Sequence, residues 1–243
     1  PASRGPISRA PRGTTRTPYW PILPRMVPSA TRPPLRGVVL DAMGVIYVAR
    51  DDVSELLVPF ARSRGSGRTD VEIHEIYRRS SRGELTTAQL WQELGMPGAA
   101  EALDDAYLRQ HRVREGLRGV LEELGRRDLR LACISNDVAR WSRRLRELHG
   151  LDRLISDWTI SGEVGARKPD PAIYAAFGRA TGLAYADCVF IDDQPRNLDA
   201  AARLGFRTLH FRPMASGQCC GHEDVQDLSR LTDWIEQAAR DEA

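Results

Sequence analysis

Val38-Val39-Leu40-Asp41-Ala42-Met43-Gly44-Val45-Ile46 is the stretch that decides how this 243-residue chain is read. An apolar, β-branched run ends on a carboxylate and breaks at a glycine, as a strand buried on both faces of a parallel sheet does. Open α/β sheets bind their ligands outside the carboxyl ends of their strands, so Asp41 stands where chemistry is done. An aspartate that merely opens a turn has the same local pattern, and the decision rests on the rest of the chain.

Downstream of residue 113 the pattern alternates between helix and strand. Leu117, Val120, Leu121 and Leu124 share one helix face over 114–126, and a strand over 129–134 ends at Ser135-Asn136-Asp137. A helix over 138–148 leads to a short strand near Asp157–Ile160, and a loop from Gly162 leads to a helix over 171–181. The apolar strand from Cys188 to Ile191 then ends at Asp192-Asp193, and a last helix and strand close with Phe206–Phe211. Such alternation implies an α/β fold with a Rossmann-like, doubly wound parallel sheet, each strand delivering polar residues at its carboxyl end. Residues 47–112 contain only helical patterns, beginning with Val53, Leu56, Leu57 and Phe60 on one face and continuing near 70–80, 87–94 and 99–111. The predicted organisation is a core domain of residues 37–46 and 113–243, with an inserted all-helical cap over 47–112 placed as a lid on the carboxyl edge of the sheet.

Residues 1–36 hold nine of the fifteen prolines, seven arginines and no acid, without periodic apolar positions, and are expected to be a disordered extension. The remainder carries 28 basic and 33 acidic residues. That balance gives no reason to expect nucleic acid or a membrane as the main partner, and no apolar segment approaches the ~20 residues that span a bilayer. The four cysteines show no metal-ligand spacing, and a reduced, cytoplasmic setting is expected. The sequence leaves the oligomeric state open. Of the 35 basic residues all but one are arginine, and the exception is Lys168. A chain that uses arginine everywhere else keeps a compact ammonium there, a point charge that a planar guanidinium does not replace.

Four stretches carry chemistry: Asp41-Ala42-Met43-Gly44, Ser135-Asn136, Lys168-Pro169, and Asp192-Asp193 with Asn197 beyond. Alone, Ser-Asn starts a turn and an acidic pair caps a helix. In this order, and with the segments Gly165-Ala166-Arg167-Lys168-Pro169-Asp170-Pro171 and Ile191-Asp192-Asp193-Gln194-Pro195-Arg196-Asn197, they resemble the haloacid dehalogenase (HAD) superfamily of hydrolases, in the branch with a helical cap after the first motif. The resemblance covers residues 37 to about 213 and is closest to sugar-phosphate phosphatases and the amino-terminal phosphatase domain of epoxide hydrolases. It implies a small phosphorylated substrate, attacked by Asp41 to form an aspartyl phosphate that water hydrolyses. It also implies Mg²⁺ bound by Asp41, the backbone carbonyl of Met43 and Asp193, with Asp192 in support. Lys168 would pair with the nucleophile and a phosphate oxygen, while the Ser135 hydroxyl and backbone N–H groups near Gly44 and Asn136 take the others. The chemistry agrees: an anionic nucleophile approaching a phosphate dianion needs cations between them, and an all-oxygen site suits Mg²⁺.

One residue departs from that pattern. Phosphatases of this type carry a second aspartate two residues after the nucleophile, which protonates the leaving oxygen; here it is Met43. Proton transfer is worth roughly 10² to 10⁴ in rate. A carbon–phosphorus hydrolase would need a cap lysine, and 47–112 has none. A haloacid dehalogenase typically lacks the acidic pair that stands here as Asp192-Asp193. A sugar-1-phosphate type of phosphatase, whose leaving group depends less on an acid, fits best. The alternative outside enzymology is a fold that binds a phosphorylated ligand or a protein partner without turnover. Specificity is expected from the helical insertion, where His74, Arg78, Arg79 and Arg82 gather, although charges on a helix more commonly form a solvated face. Trp91 reads as core of the insertion.

Overall fold

The computed structural model describes residues 33–96, 98–213 and 221–240. Most of the Pro/Arg-rich extension, residues 1–32, and the vicinal pair Cys219-Cys220, to which the sequence assigns no role, lie outside the described residues.

Six parallel strands form one sheet in the order β3-β2-β1-β4-β5-β6. They are β1 (Gly37–Leu40), β2 (Arg130–Ser135), β3 (Asp157–Ile160), β4 (Cys188–Asp192), β5 (Arg207–Phe211) and β6 (Glu223–Val225). All four residues of β1 are buried. Val38 and Leu40 enter the apolar cluster on one face and Val39 the cluster on the other, so the two-residue period of the strand feeds both sides. One face is covered by α5 (Leu117–Gly125), α6 (Ala139–His149) and α10 (Ser229–Arg240), the other by α8 (Pro171–Thr181) and α9 (Pro195–Leu204), and the short α7 (Ser161–Val164) follows β3. The chain runs outward from β1 to β3 on one side and from β4 to β6 on the other. The strand order therefore reverses between β1 and β4, and the crevice at that switch point is where such sheets hold ligands.

The last unit, β6 with α10, lies past the strand with which the sequence pattern closes. Two of the three residues of β6 are acids, Glu223 and Asp224, so no apolar run marks it. It is fixed by pairing Leu209 with Glu223 and Phe211 with Val225 at the edge of the sheet.

Between β1 and β2 the described residues preceding α5 hold only helical elements. A π-helical turn, Val53–Leu57, runs into α1 (Val58–Ser63), followed by α2 (Asp70–Ser80), α3 (Thr87–Glu93) and α4 (Ala100–Leu108). The helices α2 and α3 each begin with a reciprocal capping box, Thr69 with Glu72 and Thr86 with Gln89, which satisfies otherwise orphaned N–H groups. Trp91 of α3 is buried, as its pattern predicts, but its neighbours are not all from the insertion. Trp141 of α6, on the sheet side, lies 5.4 Å from Trp91 and 4.7 Å from Tyr107 between ring centroids. At the centre of this aromatic group sits Asp104 of α4, only 1% exposed. Its Oδ1 accepts the indole N–H groups of Trp91 at 2.8 Å and Trp141 at 2.6 Å, and its Oδ2 accepts Arg140 Nε at 2.9 Å. A buried carboxylate is tolerable only with such donors, and here they come from both sides of the seam.

Candidate active site

The loops after β1, β2 and β4 and the loop before α8 meet at the carboxyl edge of the sheet. Lys168 is their junction. Its Nζ donates to Asp41 Oδ1 at 2.7 Å, to Asp192 Oδ2 at 2.8 Å and to the Ile134 carbonyl at 2.7 Å, which uses all three ammonium protons. Burial pushes its pKa down, but the Asp192 and Asp41 carboxylates outweigh that and hold it above its ordinary value, so the charge is kept. Asn136 fixes the backbone of this residue from both ends, accepting Lys168 N–H at 2.7 Å and donating Nδ2–H to Lys168 O at 3.0 Å.

The two adjacent carboxylates after β4 are differently placed. Asp192 is fully committed. Besides Lys168, its oxygens accept Gln194 N–H at 2.8 Å and Asn197 Nδ2–H at 3.1 and 3.0 Å. Asp193 takes Arg50 Nε at 2.9 Å and Gln194 Nε2 at 3.3 Å on Oδ2, while its Oδ1 is buried without a hydrogen-bond partner. Burial and the neighbouring Asp192 raise its pKa against the pull of Arg50. The pKa of Asp41 is raised as well, by burial first and by Asp192 and Asp193, with Lys168 opposing.

The resemblance points to backbone N–H groups near Gly44 for substrate, and the structure gives Gly44 itself a further part. Its N–H already donates to Ala49 O at 2.7 Å. With φ at +81°, a Cβ here would come within 2.6 Å of the Asp193 carboxylate, so glycine is what lets that carboxylate close on the loop after β1. Ser135 is placed with its Oγ buried and unpartnered. Met43 is 7% exposed and lines the same cavity, of about 360 Å³, as Asp41, Ser135, Asn136, Lys168 and Asp193.

Buried polar atoms without partners are rare, and Ser135 Oγ and Asp193 Oδ1 both belong to this cavity. Asp41, Asp192 and Asp193 each bring a carboxylate oxygen within 4.8 Å of the others. An anionic, all-oxygen donor set with an unmet acceptor fits a hard divalent cation such as Mg²⁺.

The insertion lines the cavity with Arg50, Asp52 and Tyr77, joined by Arg167 from before α8, and pattern reading singles out none of them as functional. Arg50 and Asp52 lie in a short polar run without periodicity, and Tyr77 has the spacing of a core position, so no local signal marks them. His74 and Arg78 border the cavity as well, whereas Arg79 is paired with Glu93 at 2.8 Å, as a solvated face would have it. Asp52 is 6% exposed; burial, with the charge of Asp51, pushes its pKa up to about 6 against the Tyr77 hydroxyl.

Comparison with known proteins adds the family. A model of the hydrolases described as haloacid dehalogenase-like matches residues 35–205. A phosphatase of Mycobacterium tuberculosis, Phosphatase MT3486, is 31% identical over 140 residues, 57% of this chain and 63% of its own length. A phosphoserine phosphatase of Thermus thermophilus is 34% identical over 113 residues, 45% of each chain. The chain thus spans between about half and two thirds of the curated relatives it matches. Among solved structures, a HAD family enzyme of Bacteroides thetaiotaomicron, in complex with magnesium and inorganic phosphate, superposes with a TM-score of 0.63 over 75% of this chain and 96% of its own, at 17% identity.

Proposed function

Since the chain belongs to the haloacid dehalogenase-like hydrolases, we propose that it is a Mg²⁺-dependent phosphatase acting on a small phosphorylated metabolite. The observation that carries this reading is the Lys168 ammonium wedged between Asp41 and Asp192, with the uncommitted buried oxygens of Ser135 and Asp193 on the same cavity. Asp41 attacks phosphorus and forms an aspartyl phosphate, which water then hydrolyses. Lys168 holds the nucleophile in place and offers charge to a phosphate oxygen once substrate competes for its protons. The Ser135 hydroxyl donates to a second oxygen, and Asn136 keeps Lys168 in register. Mg²⁺, held by Asp41, the Met43 carbonyl and Asp193, would supply charge neutralisation between the two anions. Asp192 serves it at one remove, because its oxygens are spent on positioning Lys168 and the loop before α9. Helices 47–112 act as the cap that closes the substrate off from water.

Met43 favours one competing reading, a binding protein without turnover. Phosphate release from a panel of esters, with and without Mg²⁺ and against Asp41→Asn, separates the two. Mg²⁺-dependent release that Asp41→Asn abolishes is expected. Binding of phosphate with no release from any ester would establish the competing reading.

A further inference from the structure

Position 43 carries no ionisable group, yet an acid stands elsewhere on the same cavity. We propose that Asp52 supplies the proton that Met43 cannot, giving it to the leaving oxygen of the ester and taking one back from the water that hydrolyses the aspartyl phosphate. This rests on the phosphatase reading of the site.

The geometry makes the case first. Asp52 shares the cavity of about 360 Å³ with Asp41 and Met43, but comes from the insertion, whereas Lys168 and Asp193 come from the sheet side. Tyr77 Oη lies 3.1 Å from Asp52 Oδ2 and 3.2 Å from the carbonyl of Asn136, on the loop that carries Ser135. One phenolic proton shared between two acceptors bonds each of them weakly. If Asp52 is protonated on Oδ2, both bonds are made: the carboxyl donates to Tyr77 Oη and the phenol donates to Asn136 O. The site thus favours a neutral carboxyl group, linked through Tyr77 to the loop that carries Ser135. Tyr77 gives the only hydrogen bond that the Asp52 side chain takes from another residue among the described ones.

The surroundings agree. The charged and titratable groups that act on Asp52 are Asp51 beside it, Tyr77 from α2, Tyr107 from α4, Asp137 after β2 and Arg167 before α8. Burial, with the charge of Asp51, raises its pKa to about 6 against the Tyr77 hydroxyl and the Arg167 charge, between the range of a free carboxylate and neutrality, where an acid can both give and recover a proton. The step balances. The O–P bond to the alcohol breaks as Asp41 Oδ bonds to phosphorus, and the proton on Asp52 Oδ2 leaves its hydrogen bond to Tyr77 Oη and passes to the alkoxide. The resulting carboxylate then removes a proton from the attacking water as the aspartyl–phosphorus bond opens.

The test uses the whole chain with Mg²⁺, 4-nitrophenyl phosphate as an ester whose leaving group needs no proton, and a set of alkyl phosphates whose leaving groups do. Asp52→Asn should lower kcat/KM for the alkyl esters at least roughly 100-fold more than for 4-nitrophenyl phosphate. Met43→Asp added to it should recover the alkyl esters selectively. In the unaltered protein, kcat/KM for alkyl esters should fall as pH rises through about 6 relative to that for 4-nitrophenyl phosphate, a readout that needs no variant to fold. Equal losses for both ester classes, or no pH difference between them, would overturn the assignment and leave the phosphatase reading standing. No phosphate from any ester, 4-nitrophenyl phosphate included, would overturn both.

Discussion

The seam between the helical insertion and the sheet has two unlike ends. At one, Arg50, Asp52 and Tyr77 face Asp41, Lys168 and Asp193 across a polar cavity, with buried oxygens left unpaired. At the other, Trp91, Tyr107 and Trp141 pack ring on ring around an Asp104 whose two oxygens take three donors. The same residue type is left uncommitted at the first end and fully satisfied at the second. Satisfied burial fixes a structure, and unsatisfied burial keeps a place for a ligand. The insertion is thus clamped at its aromatic end, and whatever freedom admits substrate must be found at the polar one.

Removing the ammonium breaks the polar end with the largest effect. Lys168→Arg should cost at least roughly 100-fold in phosphate release, because a guanidinium cannot make three bonds in directions set for an ammonium. A variant that keeps more than about a third of the activity would show that charge alone suffices there.

The aromatic end is broken by Asp104→Ala, which leaves two indole N–H groups and Arg140 without their acceptor. A loss of about 2–4 kcal/mol in unfolding free energy is expected, read by denaturant titration. Arg140 is 44% exposed and water partly replaces its bond, which keeps the figure below that of a fully buried pair. Phosphate release at temperatures where the variant stays folded should change far less than in Lys168→Arg. Equal damage to both properties would mean that the two ends are not separable.

The smallest effect sharpens the contrast through pH. Asp137, behind the Ser135-Asn136 loop, is pushed up to about 8 by burial and by the charge of Asp52, from an ordinary 3.8. The folded state therefore holds this proton more tightly than the unfolded chain. The stabilisation is complete below about 4 and is lost as pH rises through about 8. Asp52 acts in the same direction through about 6. Stability should decline between those limits, and Asp137→Asn should flatten the decline. An unchanged slope would place the titration elsewhere.

These tests divide along the line of what the sequence could disclose. Asp41, Ser135, Lys168, Asp192 and Asp193 are legible because each ends an apolar strand pattern or stands out by residue type, and a parallel sheet gathers such ends on one edge. Arg50 and Asp52 are not, because their partners, Asp193 and Tyr77, lie 143 and 25 residues away and are brought near only by how the insertion folds back. Asp104 resembles any surface acid on an amphipathic helix until Trp141, 37 residues on, arrives to cover it. The second part of Gly44 was hidden for a related reason. Its spacing marks a turn, but only the fold shows that Asp193 fills the space where a side chain would be.

The solitary lysine has an analytical consequence. Amine-selective acylating reagents do not modify guanidinium groups near neutral pH, so the many arginines are invisible to them. Lys168 carries the chain's only ε-amino group, and its side chain is 1% exposed. Its acylation requires this interior to open and the ammonium to surrender its proton. The rate at which a single peptide gains mass is then a clock on that opening, with no background from other side-chain amines, and a bound phosphate analogue should slow it.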